Sequence, residues 1–337
     1  MMTPSNFSAN ESANADFPLA VAPAIILIGF VMEFVITLLA DPKKTPLTEA
    51  FVQSMILSLA AQDVSVKNTT WLKDGVACDI VVLGTAYSVL GEKVRAIIED
   101  QPYDAIVQDY PKIQRKLLIS DMDSTMITVE CIDELADFVG KKAEVSEITE
   151  RAMNGELDFE SALSARVALL EGLPEAVLQE CYDERVKMMA GARELLNYFK
   201  NSCHPREGGD LKDSRLRGND NYTVLVSGGF TFFTARVRET LGFDADFANE
   251  LLLENGALTG KVKMPILGKE AKLKTLNDSC KKLGISAEEV LAIGDGANDL
   301  PMLLAAGMGV AYRAKPIVRA QAMAQLNHCD LSALAWV

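Results

Sequence analysis

Two carboxylates stand two positions apart at the end of an apolar run. The run Leu117–Ser120 has the pattern of a short buried strand, and Asp121 and Asp123 follow it. Two carboxylates this close repel each other, so their electrostatic repulsion must be compensated. Alone it is compatible with a solvated turn, but a bound cation, a phosphate group or both would balance the charge.

Two more strand-like runs end in polar residues. "TVLVSGG" ends with Ser227, Gly228 and Gly229. "EVLAIGDG" contains Asp295, and Asn298 and Asp299 follow it closely. Ligands of parallel α/β sheets bind outside the carboxyl ends of the strands, so these groups should meet at one edge. Carboxylate and amide oxygens suit Mg²⁺. Glycines after a serine let backbone N–H groups approach phosphate oxygens.

Lys272 begins the helical pattern "AKLKTL" and could add a fixed positive charge to this edge. The chain has only two histidines, neither near a plausible nucleophile, so histidine-based catalysis is not expected.

The net charge of -14 argues against a duplex nucleic-acid surface. A small anionic substrate remains compatible with it, because a metal ion inverts the local charge. The six cysteines form no CxxC pair, which favours reduced thiols in a cytosol.

Helical patterns alternate with the strand-like runs in residues 113–337 and predict an α/β fold with a doubly wound parallel sheet. The helices at about 128–188 have no strand among them, so they should form a separate cap over the sheet edge. Within the cap, Arg166 recurs at helical spacing with Phe159 and falls on an otherwise apolar face. It either extends to water or points into the site, where a guanidinium would pair with a carboxylate.

The preceding segment, 32–112, predicts a separate α+β module of ferredoxin-like type. Its pattern is strand, helix, strand, strand, helix, strand, at 34–39, 47–61, 64–71, 76–83, 87–100 and 104–108. The order resembles that of the small amino-acid-binding (ACT-like) regulatory modules of biosynthetic enzymes. No cluster of catalytic residue types occurs in it.

Two segments fit neither domain. Residues 1–31 read as an extension that is disordered or not native. The apolar run 17–32 within this region is too short for a membrane helix and lacks the basic start of a signal peptide, so no membrane partner is expected. Residues 201–221 are rich in charge and glycine, which predicts a disordered insertion.

"DMDST", "SGGF", "GKEAKLKTL" and "GDGANDLPML" resemble the four ordered motifs of the haloacid dehalogenase (HAD-like) superfamily. The resemblance covers about 117–337 and implies a Rossmannoid phosphatase domain with a helical cap. It implies that Asp121 is the nucleophile and that Asp123 is the general acid and base. It further implies Mg²⁺ as cofactor, held by Asp121, the backbone carbonyl of Asp123 and Asp295, with Asn298 and Asp299 in support. The implied phosphate-binding residues are Ser227, Gly228 and Lys272, with Asn298 also in the substrate site, and Ser124 and Thr125 are expected to cap the loop and touch phosphate.

Through the cap, the resemblance extends to the members of the superfamily that act on O-phospho-L-serine. It implies that Glu130 receives the substrate ammonium, that Arg166 receives its carboxylate, and that Met153 and Phe159 make apolar contacts. The expected reaction is Mg²⁺-dependent hydrolysis to L-serine and phosphate, the last step of serine biosynthesis, by a cytoplasmic enzyme. A homodimer is left open. The alternatives are another small phosphate ester, such as phosphohomoserine, or a non-catalytic amino-acid sensor that kept the fold.

Overall fold

A computed structural model describes residues 32–84, 86–154, 156–201 and 221–337 of the chain. The expectations for residues 1–31 and for nearly all of the insertion at 201–221 therefore lie outside the described residues. So does the predicted apolar contact of Met153, because its side chain is not described.

The amino-terminal module is a four-stranded antiparallel sheet with two helices, as the sequence predicts. The strand order β2-β3-β1-β4 is that of a ferredoxin-like fold. Alternate residues of the first strand, Phe34, Ile36 and Leu38, are fully buried in the core beneath the helices. The elements are β1 (Met32–Leu39), α1 (Glu49–Ala60), β2 (Ser65–Lys73), β3 (Ala77–Gly84), α2 (Tyr87–Ile98) and β4 (Asp104–Asp109).

The second domain is built on a six-stranded parallel sheet with helices between the strands. Its elements are β5 (Leu117–Ser120), α3 (Cys131–Asp137), α4 (Lys142–Met153), α5 (Phe159–Ala168), α6 (Ala176–Arg185), α7 (Ala192–Asn201), β6 (Tyr222–Phe230), α8 (Thr231–Leu241), β7 (Ala245–Asn249), β8 (Leu251–Glu254), β9 (Ala257–Val262), α9 (Lys269–Leu283), β10 (Val290–Gly294), α10 (Leu300–Ala305), β11 (Met308–Tyr312), α11 (Pro316–Arg319) and β12 (Ala324–Leu326).

The strand order β12-β11-β10-β5-β6-β7 places β5 between β10 and β6. From β5 the chain builds the sheet outward through β6 to β7, and then returns to build β10, β11 and β12 on the other side. The order therefore reverses beside β5, and this switch point is where doubly wound sheets bind their ligands. All four strand residues of β5 are fully buried, so the strand is a rigid base for the loop that follows.

Helices α3 to α6 form the predicted cap, and a hairpin of β8 and β9 is joined to it. The N–H of Gly172 donates to the carbonyl of Leu258 at 2.9 Å, and the N–H of Leu258 donates to the carbonyl of Leu173 at 2.8 Å. Gly260 has a φ of +68°, and a Cβ there would lie 3.0 Å from that of Glu171. The glycine therefore allows the hairpin to approach the cap closely.

One buried carboxylate of the module contacts the end of the second domain. Asp104 accepts hydrogen bonds from three successive backbone N–H groups, those of Asn327, His328 and Cys329, at 2.8 to 3.0 Å. These donors compensate the buried charge, and Asp104 forms no ion pair within the described part of the chain. None of the helices in the described part of the chain combines the length and apolar character needed to cross a bilayer.

Candidate active site

The loop after β5 places both predicted catalytic carboxylates inside the protein. Asp121 continues the sheet, because its N–H donates to the carbonyl of Ile293 in β10 at 2.9 Å. The chain then turns tightly, with the N–H groups of Met126 and Ile127 both bonded to the carbonyl of Met122. Only 7% of Asp121 and 9% of Asp123 is exposed. The solvated-turn interpretation is therefore wrong for this pair.

Lys272 provides the fixed positive charge at this edge. Its ammonium donates to Asp121 Oδ1 and Asp299 Oδ1, each at 2.6 Å, and its side chain is fully buried. The second oxygen of Asp299 accepts from the N–H groups of Asp295 and Gly296. Burial lowers the pKa of Lys272, but the two carboxylates outweigh it and raise that pKa above its ordinary value. The lysine therefore remains charged.

Three buried carboxylates cluster beside this lysine. One oxygen each of Asp121, Asp295 and Asp299 lies within 4.8 Å of the others. Burial, together with the neighbouring carboxylates, raises the pKa of Asp121 to about 7 and that of Asp295 well above its usual range. Thr125 donates to Oδ1 of Asp295 at 3.1 Å, so the second oxygen of Asp295 remains available. This donor set fits a divalent cation, which prefers carboxylate oxygens and would compensate the repulsion.

The carboxylate of Asp123 has different hydrogen-bond partners from that of Asp121. Its Oδ1 accepts the N–H of Cys131 at 2.9 Å, and its Oδ2 accepts the hydroxyl of Ser227 at 3.2 Å. Burial raises the pKa of Asp123, while these hydrogen bonds oppose the shift. A carboxyl group with a raised pKa can hold and release a proton nearer neutral pH, which general acid–base chemistry requires.

The glycines after Ser227 make room for two side chains. A Cβ on Gly228 would lie 2.6 Å from Phe159 Cζ, and one on Gly229 would lie 2.8 Å from Asp123 Oδ2. The N–H of Gly229 donates to Ser227 Oγ at 2.8 Å, which fixes the hydroxyl. Phe159, the first residue of α5, therefore packs against the glycine turn, and its apolar contact with the substrate stays a prediction.

Glu130 lies at the start of the cap, where Ser124 donates to its Oε1 at 2.5 Å. Burial and the charges of Asp123 and Asp121 raise the pKa of Glu130 to about 8, while the Ser124 hydrogen bond opposes the shift. An ammonium group beside Glu130 would restore the ionised form. The hydroxyl of Ser124 donates to Glu130 and that of Thr125 to Asp295, while the expected contact of both residues with phosphate stays a prediction.

Arg166 does not extend to water, because only 6% of it is exposed. Its Nε donates to the carbonyl of Ala162 at 3.1 Å and its Nη1 to Thr149 Oγ1 at 2.9 Å. Among the described residues, Nη2 donates no hydrogen bond and Arg166 forms no ion pair. The guanidinium therefore has donors left for an anionic group.

The structure brings these residues around one cavity of about 60 Å³. The predicted residues that line it are Asp121, Asp123, Glu130, Phe159, Arg166, Ser227, Gly228 and Asn298. Lys272 and Asp295 do not line the cavity, but both lie beside Asp121. Lys272 forms an ion pair with Asp121, and Asp295 belongs to the same carboxylate cluster. The lining also includes Thr149, Ile132 and Leu163, to which the sequence assigned no role in the site.

A carboxylate nucleophile paired with a buried lysine, at the switch point of a doubly wound sheet, is suited to hydrolysis of phosphate esters through a covalent intermediate. The chain belongs to the haloacid dehalogenase-like hydrolases, whose family model matches residues 118–304. The predicted superfamily and fold class are thereby confirmed.

Within this family, the chain is similar in sequence and in structure to the following proteins. The chain is 46% identical over 224 residues to the phosphoserine phosphatase of Polaromonas sp., covering 65% of this chain and 88% of the relative. A HAD family hydrolase from Salmonella enterica serovar Typhi has a similar structure, with a TM-score of 0.75 at 27% identity over 90% of this chain and 97% of that one. A phospho-aspartyl intermediate analogue of phosphoserine phosphatase matches with a TM-score of 0.58 at 36% identity, over 65% of this chain and 96% of that one.

Proposed function

We propose that this chain is a phosphoserine phosphatase that hydrolyses O-phospho-L-serine to L-serine and phosphate with Mg²⁺ as cofactor. The observation that carries the proposal is the pair Glu130 and Arg166, which line the same cavity as Asp121. A free amino acid carries an ammonium and a carboxylate, and these two residues offer one partner for each. The relatives named phosphoserine phosphatase support this substrate.

In the first step Asp121 attacks phosphorus, a new O–P bond forms, and the bond to the serine oxygen breaks. Asp123 gives its proton to the departing serine oxygen. In the second step Asp123 takes a proton from water, whose oxygen attacks phosphorus and releases Asp121. The different hydrogen-bond partners of the two carboxylates support this division: Asp121 is bonded to Lys272, and Asp123 to Cys131 and Ser227.

The phosphoryl oxygens gain negative charge during each displacement, and donors placed in advance stabilise that charge. We assign this role to Lys272, to the hydroxyl of Ser227 and to the backbone N–H of Gly228. Asn298, which lines the cavity, would add an amide donor. We assign the exclusion of water to the apolar side chains of the lining, which include Phe159.

Asp121 and Asp295, with the backbone carbonyl of Asp123, would hold the metal ion. Asp299 is less available as a ligand, because Lys272 and two backbone N–H groups already occupy its oxygens. When bound, a divalent ion supplies charge stabilisation to the phosphoryl group and keeps Asp121 ionised. We propose Mg²⁺ because the donors are all oxygen atoms.

The domain limits remain proposals: 32–112 as a regulatory-type module and 113–337 as the phosphatase, with the cap at about 128–188. A cytoplasmic location is also proposed. The five cysteines of the described residues are free and buried, which suits a reducing compartment. A homodimer remains a prediction from the sequence.

Release of phosphate from O-phospho-L-serine by the purified full chain tests the proposal, with and without Mg²⁺. Activity should appear with Mg²⁺, disappear with a chelator and return when Mg²⁺ is added in excess. Full activity in the chelator would contradict the metal assignment. Binding of L-serine without turnover of any phosphate ester would instead favour a non-catalytic sensor.

A further inference from the structure

Three cap helices meet at one buried hydroxyl. Thr149 on α4 is 3% exposed and lies between Arg166 on α5 and Asp133 on α3. Its Oγ1 accepts from Arg166 Nη1 at 2.9 Å, and it lies 2.7 Å from Asp133 Oδ1 and 3.0 Å from the carbonyl of Val145. The hydroxyl therefore connects the guanidinium on one helix to a carboxylate on another.

A threonine hydroxyl has one proton and two lone pairs, so the direction of this chain of bonds can be assigned. Because a lone pair accepts from Arg166, the proton is free for Asp133 or for the carbonyl of Val145. The contact with Asp133 is shorter and its acceptor is charged, so Asp133 is favoured. A hydroxyl that donates to a carboxylate is in turn a better acceptor for the guanidinium.

The same bonds restrict where Arg166 can point. With Nε held by Ala162 and Nη1 held by Thr149, rotation of the side chain is opposed at two of its three nitrogens. Nη2, the nitrogen without a hydrogen-bond partner among the described residues, is left for the cavity that Arg166 lines. Asp133 lies one helical turn after Glu130. The carboxylate that bonds to Thr149 and the proposed partner of the substrate ammonium are therefore both at the start of α3.

We propose that Thr149 and Asp133 form a positioning pair that directs the guanidinium of Arg166 and so selects phosphate esters bearing a carboxylate. The inference rests on the proposed function and deepens it. Neither residue touches the reacting atoms in this account. Their effect passes through Arg166, so it should appear with substrates that carry a carboxylate and be absent with substrates that lack one.

The experiment compares O-phospho-L-serine with O-phosphoethanolamine, which keeps the phosphate and the ammonium but has no carboxylate. Thr149→Val removes the hydroxyl and keeps the branched shape. It should lower kcat/KM for phosphoserine by about tenfold, equivalent to about 1.4 kcal/mol, mainly through a higher KM. The value for phosphoethanolamine should change by less than about twofold.

Three variants control the result. Thr149→Ser keeps the hydroxyl and should recover most of the preference for phosphoserine. Asp133→Asn should reduce that preference in the same direction and serves as a second probe if Thr149→Val does not fold. Thr275 on α9 makes the same bond to the carbonyl four residues earlier, at Ala271, but has no hydrogen bond with an arginine among the residues described. Thr275→Val should therefore leave both substrates unaffected.

Equal losses on both substrates, or an unchanged kcat/KM for phosphoserine in Thr149→Val and Asp133→Asn, would overturn the positioning pair. Failure of the proposed function gives a different result, because the wild-type protein itself would then show no preference for phosphoserine. A wild-type preference that survives in both variants removes only the inference about Thr149 and Asp133.

Discussion

Replacing Lys272 by methionine tests the electrostatic arrangement at the base of the site. Methionine has a similar length but no charge, so the change removes one cation from between Asp121 and Asp299. Both ion pairs are 2.6 Å long, and the lysine and Asp299 side chains are fully buried. Removing one partner of a buried pair typically costs about 3 to 5 kcal/mol, because the remaining charge is left uncompensated.

The loss in free energy of unfolding caused by Lys272→Met should depend on pH, because a proton on Asp121 can replace the missing lysine ammonium. The pKa of Asp121 is already raised to about 7 with Lys272 present, and it should rise further without it. Below that pH the carboxyl is neutral in the folded protein and needs no cation. The destabilisation by Lys272→Met should therefore be smaller at pH 5 than at pH 8.5.

Urea unfolding of the metal-free protein at the two pH values measures this difference. The matched control is Lys274→Met, on the same helix, whose ion pair with Asp278 is exposed at the surface. That change should cost less than about 1 kcal/mol. A loss below about 1 kcal/mol for Lys272→Met at pH 8.5, or the same loss at both pH values, would refute the account of a buried charge shared by two carboxylates.

Asp121→Asn should abolish release of phosphate while the protein stays folded, because the amide fills the same space but is not a nucleophile; substantial turnover would exclude the covalent mechanism. Arg166→Ala should lower kcat/KM for phosphoserine about 10²-fold, near 3 kcal/mol for a lost charge-assisted pair, with little change for p-nitrophenyl phosphate; equal losses would make Arg166 structural. Glu130→Gln should stabilise the metal-free protein at pH 8.5, by about 1 kcal/mol or more in urea unfolding, and not at pH 4.5. The folded-state pKa of about 8 exceeds the unfolded value of 4.5, so the stability from protonated Glu130 is complete below pH 4.5 and is lost as pH rises through 8. Equal effects at both pH values would contradict that shift.

The parts of the fold that could be predicted are those in which local pattern and tertiary position agree. The run before Asp121 consists of three apolar residues and a small serine, because the strand is buried between β10 and β6. The sequence therefore shows both the strand and the edge at which it ends. The short edge strands Ala245–Asn249 and Ala324–Leu326 were not predicted. They are five and three residues long, and pairing with a neighbour decides their conformation more than their own pattern does.

The site residues also divide into those that the sequence predicts and those that only the folded structure shows. The carboxylates and glycines of the strand ends follow from motifs, because each lies at a fixed offset from its strand. Thr149 gives no such signal, since its role depends on how three helices pack around Arg166. The bonds of Ser124 and Thr125 to carboxylates likewise follow from the folded loop rather than from their spacing. Hydroxyls in such loops have several acceptors within reach, and only tertiary structure selects among them.

The most direct test of the central claim is kcat/KM for a panel of phosphate esters, measured with the purified chain and Mg²⁺. The panel should contain O-phospho-L-serine, phosphohomoserine, O-phosphoethanolamine and p-nitrophenyl phosphate. The account predicts the highest value for phosphoserine, because only that ester presents the ammonium and the carboxylate to Glu130 and Arg166 at the distance set by a single methylene from the phosphate oxygen. A higher value for any other ester of the panel would contradict it.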